Sequence, residues 1–211
     1  LTCQFKDGDK IKKGTDIIFG KGSTRDILTA ERVALNYLQY MSGIATITDK
    51  FVQALNDNKI KLLDTRKTLP NYRLIAKYAV KTGGGYNHRF GLYDAILIKD
   101  NHIKAAGSII NAVNKCRANS KLTIEVECET LSQVKEAIAA QVDIIMLDNM
   151  SLSNIDKAVK IINGKAKIEV SGNINLTSIK KLSNKAIDYI SAGAITHSPQ
   201  TADLSLNLTE G

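Results

Sequence analysis

With 211 residues, 44% hydrophobic and 24% charged, the chain has enough apolar material for one sizeable core with room for a small appendage. No apolar run reaches the roughly 18 residues of a membrane span, and the start Leu1-Thr2-Cys3-Gln4-Phe5-Lys6-Asp7 lacks the basic-then-apolar order of a signal peptide. Cys3, Cys116 and Cys128 are odd in number and lack metal-ligand spacing, so they read as free thiols in a reducing, cytoplasmic setting.

The net charge of +8 first suggests nucleic acid, but the excess is local: residues 61–104 hold nine Lys/Arg against three Asp. Those cations stand singly among Gly, Asn, His and apolar residues, which suits a pocket for a small multi-anion better than a phosphate-tracking groove, the alternative being a solvated basic face.

In chain order, residues 1–24 are rich in Gly, Lys and Asp and predict short strands and tight turns. Thr29 then caps a helix whose apolar positions Ala30, Val33, Ala34, Tyr37, Leu38 and Met41 run until Gly43 ends it, and a second helix covers residues 45–55. From residue 60 short apolar strands (60–63, 95–98, 122–126, 143–147, 166–170, 186–190) alternate with helical patterns near 70–81, 104–118, 130–140, 151–163 and 175–183. Six βα units predict a parallel sheet closed, completely or nearly, as a barrel. An open doubly wound sheet is the competitor, and no G-x-G-x-x-G follows a strand to support it.

Each strand ends in a polar residue: Asp64, Lys99, Glu127, Asp148, Ser171 and Ser191. In a βα barrel these ends open onto one face, where active sites lie; any one alone could be a helix cap. Arg66 and Lys67, just past Asp64-Thr65, offer a planar fork and a point charge for a carboxylate. Gly83-Gly84-Gly85 permits close backbone approach to a ligand, or is simply a flexible loop, and His88, Arg89 and Lys99 add further donors. Glu127 and Asp148 suit Mg²⁺ or sugar hydroxyls, Glu125 points the same way as Glu127 into the barrel, and Glu129 is the expected helix cap. Ser171-Gly172-Asn173 and Ser191-Ala192-Gly193-Ala194 have the small, Gly-containing form of a barrel phosphate site, a form also common in ordinary loops.

These motifs resemble the quinolinate phosphoribosyltransferases (carboxylating nicotinate-nucleotide pyrophosphorylases). The likeness runs through Thr29-Ala30-Glu31-Arg32, Asp64 to Pro70, Gly83 to Arg89, Leu97 to His102, Glu125-Val126-Glu127, Leu147-Asp148-Asn149, Ser171-Gly172-Asn173 and Gly193 to Ser198. The resemblance implies Mg²⁺-dependent conversion of quinolinate and phosphoribosyl pyrophosphate (PRPP) to nicotinate mononucleotide, pyrophosphate and CO₂, with no organic cofactor.

It implies Lys67, Lys99, Glu127 and Asp148 as catalytic. Thr65, Arg66, Lys67, His88, Arg89 and Lys99 would hold quinolinate, with Arg32 from the neighbouring subunit of a homodimer or higher oligomer. Glu127 and Asp148 would face ribose and metal, directly or through water. Ser171, Gly172, Asn173, Ser191, Ala192 and Gly193 would bind phosphate beside His197.

No nucleic acid and no membrane are expected as partners. The implied fold is α/β: an incomplete or irregular (β/α) barrel over residues 59–211, connecting helices over 29–58, and over 1–28 the remainder of a truncated N-terminal α/β sandwich domain. Asn71 follows Leu69-Pro70 where the family has Gly, and Asn tolerates the positive φ that position needs. The alternatives are a molybdenum-transport-associated paralogue with another acceptor, and a non-catalytic nucleic-acid-binding barrel, whose basic residues would spread over an outer face.

Overall fold

The computed structural model describes residues 1–209. Two short antiparallel strands, β1 (Thr2–Cys3) and β2 (Ile18–Phe19), precede α1 (Thr24–Leu55). The remainder alternates: β3 (Lys61–Leu63), α2 (Arg73–Thr82), β4 (Ile96–Ile98), α3 (Asp100–Ala106), α4 (Ile109–Asn119), β5 (Ile124–Cys128), α5 (Leu131–Ala139), β6 (Ile144–Asp148), α6 (Leu152–Ile162), β7 (Lys167–Ser171), a 3₁₀ turn (Ile179–Leu182), β8 (Tyr189–Ser191) and α7 (Ala194–His197).

The six strands β3 to β8 form one parallel sheet in the order β3-β8-β7-β6-β5-β4. β3 and β8 pair although some 130 residues separate them, with Leu63 opposite Ser191, so the sheet curls into a barrel left open between β3 and β4. Tyr86 partly fills that seam: its N–H donates to Leu62 O (2.8 Å) and its carbonyl accepts from Asp64 N (3.0 Å). The incomplete barrel follows from alternation along the strands. Ile124, Val126 and Cys128, or Ile168 and Val170, join the buried apolar layer shared with the helices, and the residues between them point inward. Among the described residues, no helix is long and apolar enough to cross a membrane.

Several local expectations are corrected. Ser23, not Thr29, precedes the first helix, and the Thr29 hydroxyl donates back to Arg25 O (2.7 Å) inside it. Gly43 does not end that helix; the two expected helices are one of 32 residues, closed by Asn56 in the left-handed region (φ 47°). Gly43 is buried because the C-terminal tail crosses it: a Cβ there would lie 2.1 Å from Gln200 O. Ala202 N→Gln39 O (3.0 Å) and Gln39 Nε2→Leu204 O (2.7 Å) tie the tail down. The expected 104–118 helix is two, broken at Gly107 (φ 89°) and restarted by Ser108, whose hydroxyl accepts from Asn111 N (3.1 Å).

Thr130, not Glu129, caps α5 in a reciprocal box with Gln133. The 175–183 pattern yields only a single 3₁₀ turn, because Asn175 Oδ1 takes the N–H groups of Thr177 and Ser178 and tightens the chain. Asn71 takes the positive φ expected of it (64°).

Gly43→Ala gives a test of the tail packing. Alanine is favoured by about 1 kcal/mol in an open helix, yet the clash with Gln200 makes the substitution destabilising by about 1–3 kcal/mol. The expected result is a lower melting temperature together with faster amide exchange at Ala202. A stabilised variant would show that the tail does not press on α1.

Candidate active site

A surface depression of about 730 Å³ lies at the N-terminal ends of the strands among Thr123, Asp143, Lys165, Lys167 and Tyr189. The polar residues singled out from the sequence collect at the other end, so chemistry rather than size marks the site.

The loop after β3 carries Thr65, Arg66 and Lys67. Thr65 Oγ1 accepts from Lys67 N (3.1 Å), and Lys67 O accepts from the Thr196 hydroxyl (2.9 Å), which stitches this loop to α7. Arg73 on α2 then clamps two loops, donating from Nη1 to Phe90 O (3.1 Å) and from Nη2 to Arg66 O (3.4 Å). Arg73 was not among the site residues read from the sequence, because a loop-clamping contact of this kind has no local signature.

The three glycines are not an anion cradle. The N–H groups of Gly83, Gly84 and Gly85 donate to Ala79, Lys81 and Val80 carbonyls and so terminate α2. A Cβ on Gly83 would sit 2.4 Å from Ala45 O, and one on Gly85 2.8 Å from the Thr48 side chain, so close packing on α1 requires them. Their contribution is to aim Asn87, His88 and Arg89 across the barrel mouth.

Asp64 does not reach the open face. It is fully buried and paired at 2.5 Å with Lys77, also fully buried, in the middle of α2. Lys77 Nζ also donates to His88 O (2.8 Å), and His88 N donates to Asp64 Oδ1 (2.9 Å). Burial pushes the Asp64 carboxyl up and the Lys77 ammonium down, with each holding the other partly in its charged form.

The His88 ring is neutral. Its Nδ1 accepts from Arg89 N (2.8 Å), which puts the ring proton on Nε2, facing Glu125 Oε2 at 3.0 Å and Glu169 Oε2 at 3.5 Å. Burial holds its pKa below the ordinary value. Glu125 points inward as its alternation with Glu127 predicted, and burial pushes it up to about 7. Glu169 is 1% exposed, and burial followed by the neighbouring Glu125 charge pushes it up to about 8. A lone glutamate in the apolar strand Ile168-Glu169-Val170 was a legible signal that the sequence reading missed.

Arg89 donates from Nη1 to Ala95 O (3.0 Å), and burial and the nearby Arg66 lower its pKa while Glu125 opposes them. Lys99 Nζ forms an ion pair with Glu127, which links the cationic side of the site to its acidic side. His102 caps α3 by accepting from Lys99 N (2.9 Å). Asp148, at the end of the next strand, accepts from Asn149 Nδ2 (2.6 Å).

Gly172 (φ 93°) packs against Asn149, where a Cβ would lie 2.3 Å from Oδ1, and Asn173 Nδ2 donates to that same oxygen (3.0 Å). Ser171 is partly exposed, and a side chain at Gly193 would meet the His197 ring (2.9 Å) and Lys67 (3.5 Å). Ser191 and Ala192 are closed off at 3% and 1% exposure, because they continue the β8 ladder against β3, with Ala192 N donating to Leu63 O (3.1 Å). They floor the site and leave Gly193 as the accessible member of that turn. Arg32 stands on the exposed first half of α1.

The Glu169 shift has a consequence for stability. Its folded pKa of about 8 lies above the ordinary 4.5, so between those values the folded chain holds a proton that the unfolded chain has released. The stabilisation this supplies is complete below the unfolded value and is lost as pH rises through the folded one. Melting temperature is therefore expected to decline from about pH 5 to pH 8, with a shallower decline in Glu169→Gln. Equal slopes in the two proteins would show that Glu169 titrates normally.

Comparison with known proteins identifies the family. The profile "Quinolinate phosphoribosyl transferase, C-terminal domain" matches residues 44–207, and the corresponding N-terminal-domain profile matches residues 1–42. A probable nicotinate-nucleotide pyrophosphorylase [carboxylating] from Bacillus subtilis is 48% identical over 97% of this chain and 71% of its own length. The chloroplastic enzyme of that name from Arabidopsis thaliana is 43% identical over 96% of this chain and 64% of its own. The solved nicotinate-nucleotide pyrophosphorylase from Francisella tularensis superposes with a TM-score of 0.92 at 50% identity, covering 97% of this chain and 73% of that one. From its cationic barrel mouth to its Ser-Gly turns, the chain belongs to the quinolinate phosphoribosyl transferase family.

Proposed function

We propose that this protein transfers the phosphoribosyl group of PRPP to quinolinate with loss of CO₂, giving nicotinate mononucleotide and pyrophosphate for NAD biosynthesis in the cytoplasm. The observation that carries this reading is the division of the barrel mouth. Arg66, Lys67, Arg89 and Lys99 converge from three loops, Glu127 and Asp148 stand near the C-terminal ends of the next two strands, and the Lys99–Glu127 ion pair joins the two groups. A dicarboxylate and a ribose diphosphate together match that division.

In this reading Arg66, Lys67, Arg89 and Lys99 hold the two carboxylates, Thr65 shapes their loop, and Arg32 enters from a second copy of the chain in a homodimer. Ser171, Gly172, Asn173 and Gly193 receive the 5′-phosphate beside His197. The ring nitrogen attacks the ribose C1′ as the C1′–O bond breaks, and the electron pair leaves with pyrophosphate. Glu127 and Asp148 stabilise the positive charge that develops on the ribose.

Their carboxylate oxygens are also hard donors that fit Mg²⁺, directly or through water. When bound with PRPP, Mg²⁺ neutralises charge on the departing pyrophosphate. The alkylated pyridinium then accepts the pair left at C2 as CO₂ departs, and C2 takes a proton. No organic cofactor is required, and the cationic pocket serves mainly to orient the ring.

The test is full-length protein with quinolinate, PRPP and Mg²⁺. Formation of nicotinate mononucleotide with stoichiometric CO₂ is expected. Acceptance of nicotinate without CO₂ release would make the substrate assignment wrong.

A further inference from the structure

Four polar groups of His88 are engaged inside the protein. Its N–H donates to Asp64 Oδ1 (2.9 Å), its carbonyl accepts from Lys77 Nζ (2.8 Å), Nδ1 accepts from Arg89 N (2.8 Å), and Nε2 faces Glu125 Oε2 at 3.0 Å. The side chain is only 11% exposed. Both backbone groups and both ring nitrogens thus face groups of the protein itself. Arg89, in contrast, has one guanidinium contact, to Ala95 O, and its remaining donors are free to reach a ligand.

We infer that Glu169 and Glu125 are positioning residues that act through His88 on Arg89, and that His88 shapes the dicarboxylate pocket without touching the substrate. The chain of contacts is direct. Glu125 and Glu169 grip Nε2 from β5 and β7, which fixes the ring plane; the ring's Nδ1 then holds the Arg89 N–H, which sets the direction in which that side chain leaves the backbone.

Glu125 and Glu169 are two buried carboxyls set side by side and hydrogen-bonded to each other, an arrangement an apolar core would avoid. Such a cost is expected where it maintains a functional geometry. Glu125 also lies near the crowded cations and opposes the effect of Arg66 on Arg89. The ligand atoms of His88, Glu125 and Glu169 lie within 4.8 Å of one another, but the proton on Nε2 makes this a hydrogen-bonded set rather than a metal site.

This inference rests on the quinolinate reading, and the experiment separates the two. In full-length protein, Glu169→Ala is expected to raise the KM for quinolinate about 10-fold, leave the KM for PRPP within about twofold, and be largely rescued by Glu169→Gln, which keeps an oxygen in place. A lower melting temperature with an unchanged quinolinate KM, or both KM values rising together, overturns the positioning role.

A second measurement does not depend on any variant folding. The ring ¹⁵N signals of His88, one of three histidines, are expected to show the Nε2–H tautomer both without and with quinolinate. A ring that becomes cationic when quinolinate binds overturns the inference. An inactive wild type would refute the assigned reaction, while the tautomer of the free protein still tests the geometry at His88.

Discussion

Arg89→Glu is expected to weaken quinolinate binding about 10²–10⁴-fold while leaving the protein folded. A charge-assisted hydrogen bond contributes about 1.5–3 kcal/mol, and a fork that engages a carboxylate through two of them also fixes its orientation. Reversal removes both and sets a carboxylate against a carboxylate, so a total of about 3–5 kcal/mol corresponds to the stated range. The guanidinium is tethered at one nitrogen by Ala95 O, so the wild-type fork is already aimed, and its loss costs orientation as well as charge. Calorimetric titration of quinolinate checks the effect. Lys104→Glu is the control, because Lys104 is an exposed cation on the same segment, paired only with Asp100 four residues away. Unchanged affinity in Arg89→Glu would remove Arg89 from the pocket. An equal loss in the control would point to net charge rather than to a specific contact.

Lys77→Met is expected to produce the largest loss of stability of any single change in the barrel, about 3–5 kcal/mol. Both partners of the Lys77–Asp64 pair have no solvent exposure, and removing one leaves a buried carboxylate whose charged form was already disfavoured. For a chain of this size the melting temperature should fall by about 10 °C. Lys77→Met with Asp64→Asn should recover a large part of that loss, since the uncompensated charge is then gone. The recovery in stability should exceed the recovery in activity, because Lys77 also holds the His88 carbonyl and Asp64 the His88 N–H. A Lys77→Met protein that melts within a degree or two of wild type would show that Asp64 is neutral without it.

Much of this was legible from residue types and spacing. Alternation on β5 placed Glu125 and Glu127 on the same side, and Asn71 advertised its positive φ. Polar residues ended six apolar strands, which marked one end of a barrel before any strand order was known. The family itself was carried by motifs several residues long, because a pocket for a small anion fixes residue identities as well as polarity.

What stayed hidden depended on contacts between residues far apart in sequence. Gly43 looked like a helix stop because the crossing of the tail at Gln200, which requires a residue without a Cβ in mid-helix, has no local signature. The three glycines read either as a ligand loop or as a flexible one, because the carbonyls that take their N–H groups, and the face of α1 they pack on, are set by tertiary packing. Asp64 read as one more polar strand end at the open face until the fold closed it inside against Lys77.

Residue types and spacing along the chain were enough for the alternating α/β plan, the polar end of the barrel and the family. Which of those polar residues stand open at the barrel mouth and which are closed inside depends on the packed fold. The physical reason is that periodicity is a property of neighbours along the chain. Desolvation and hydrogen-bond satisfaction belong to the whole packed molecule.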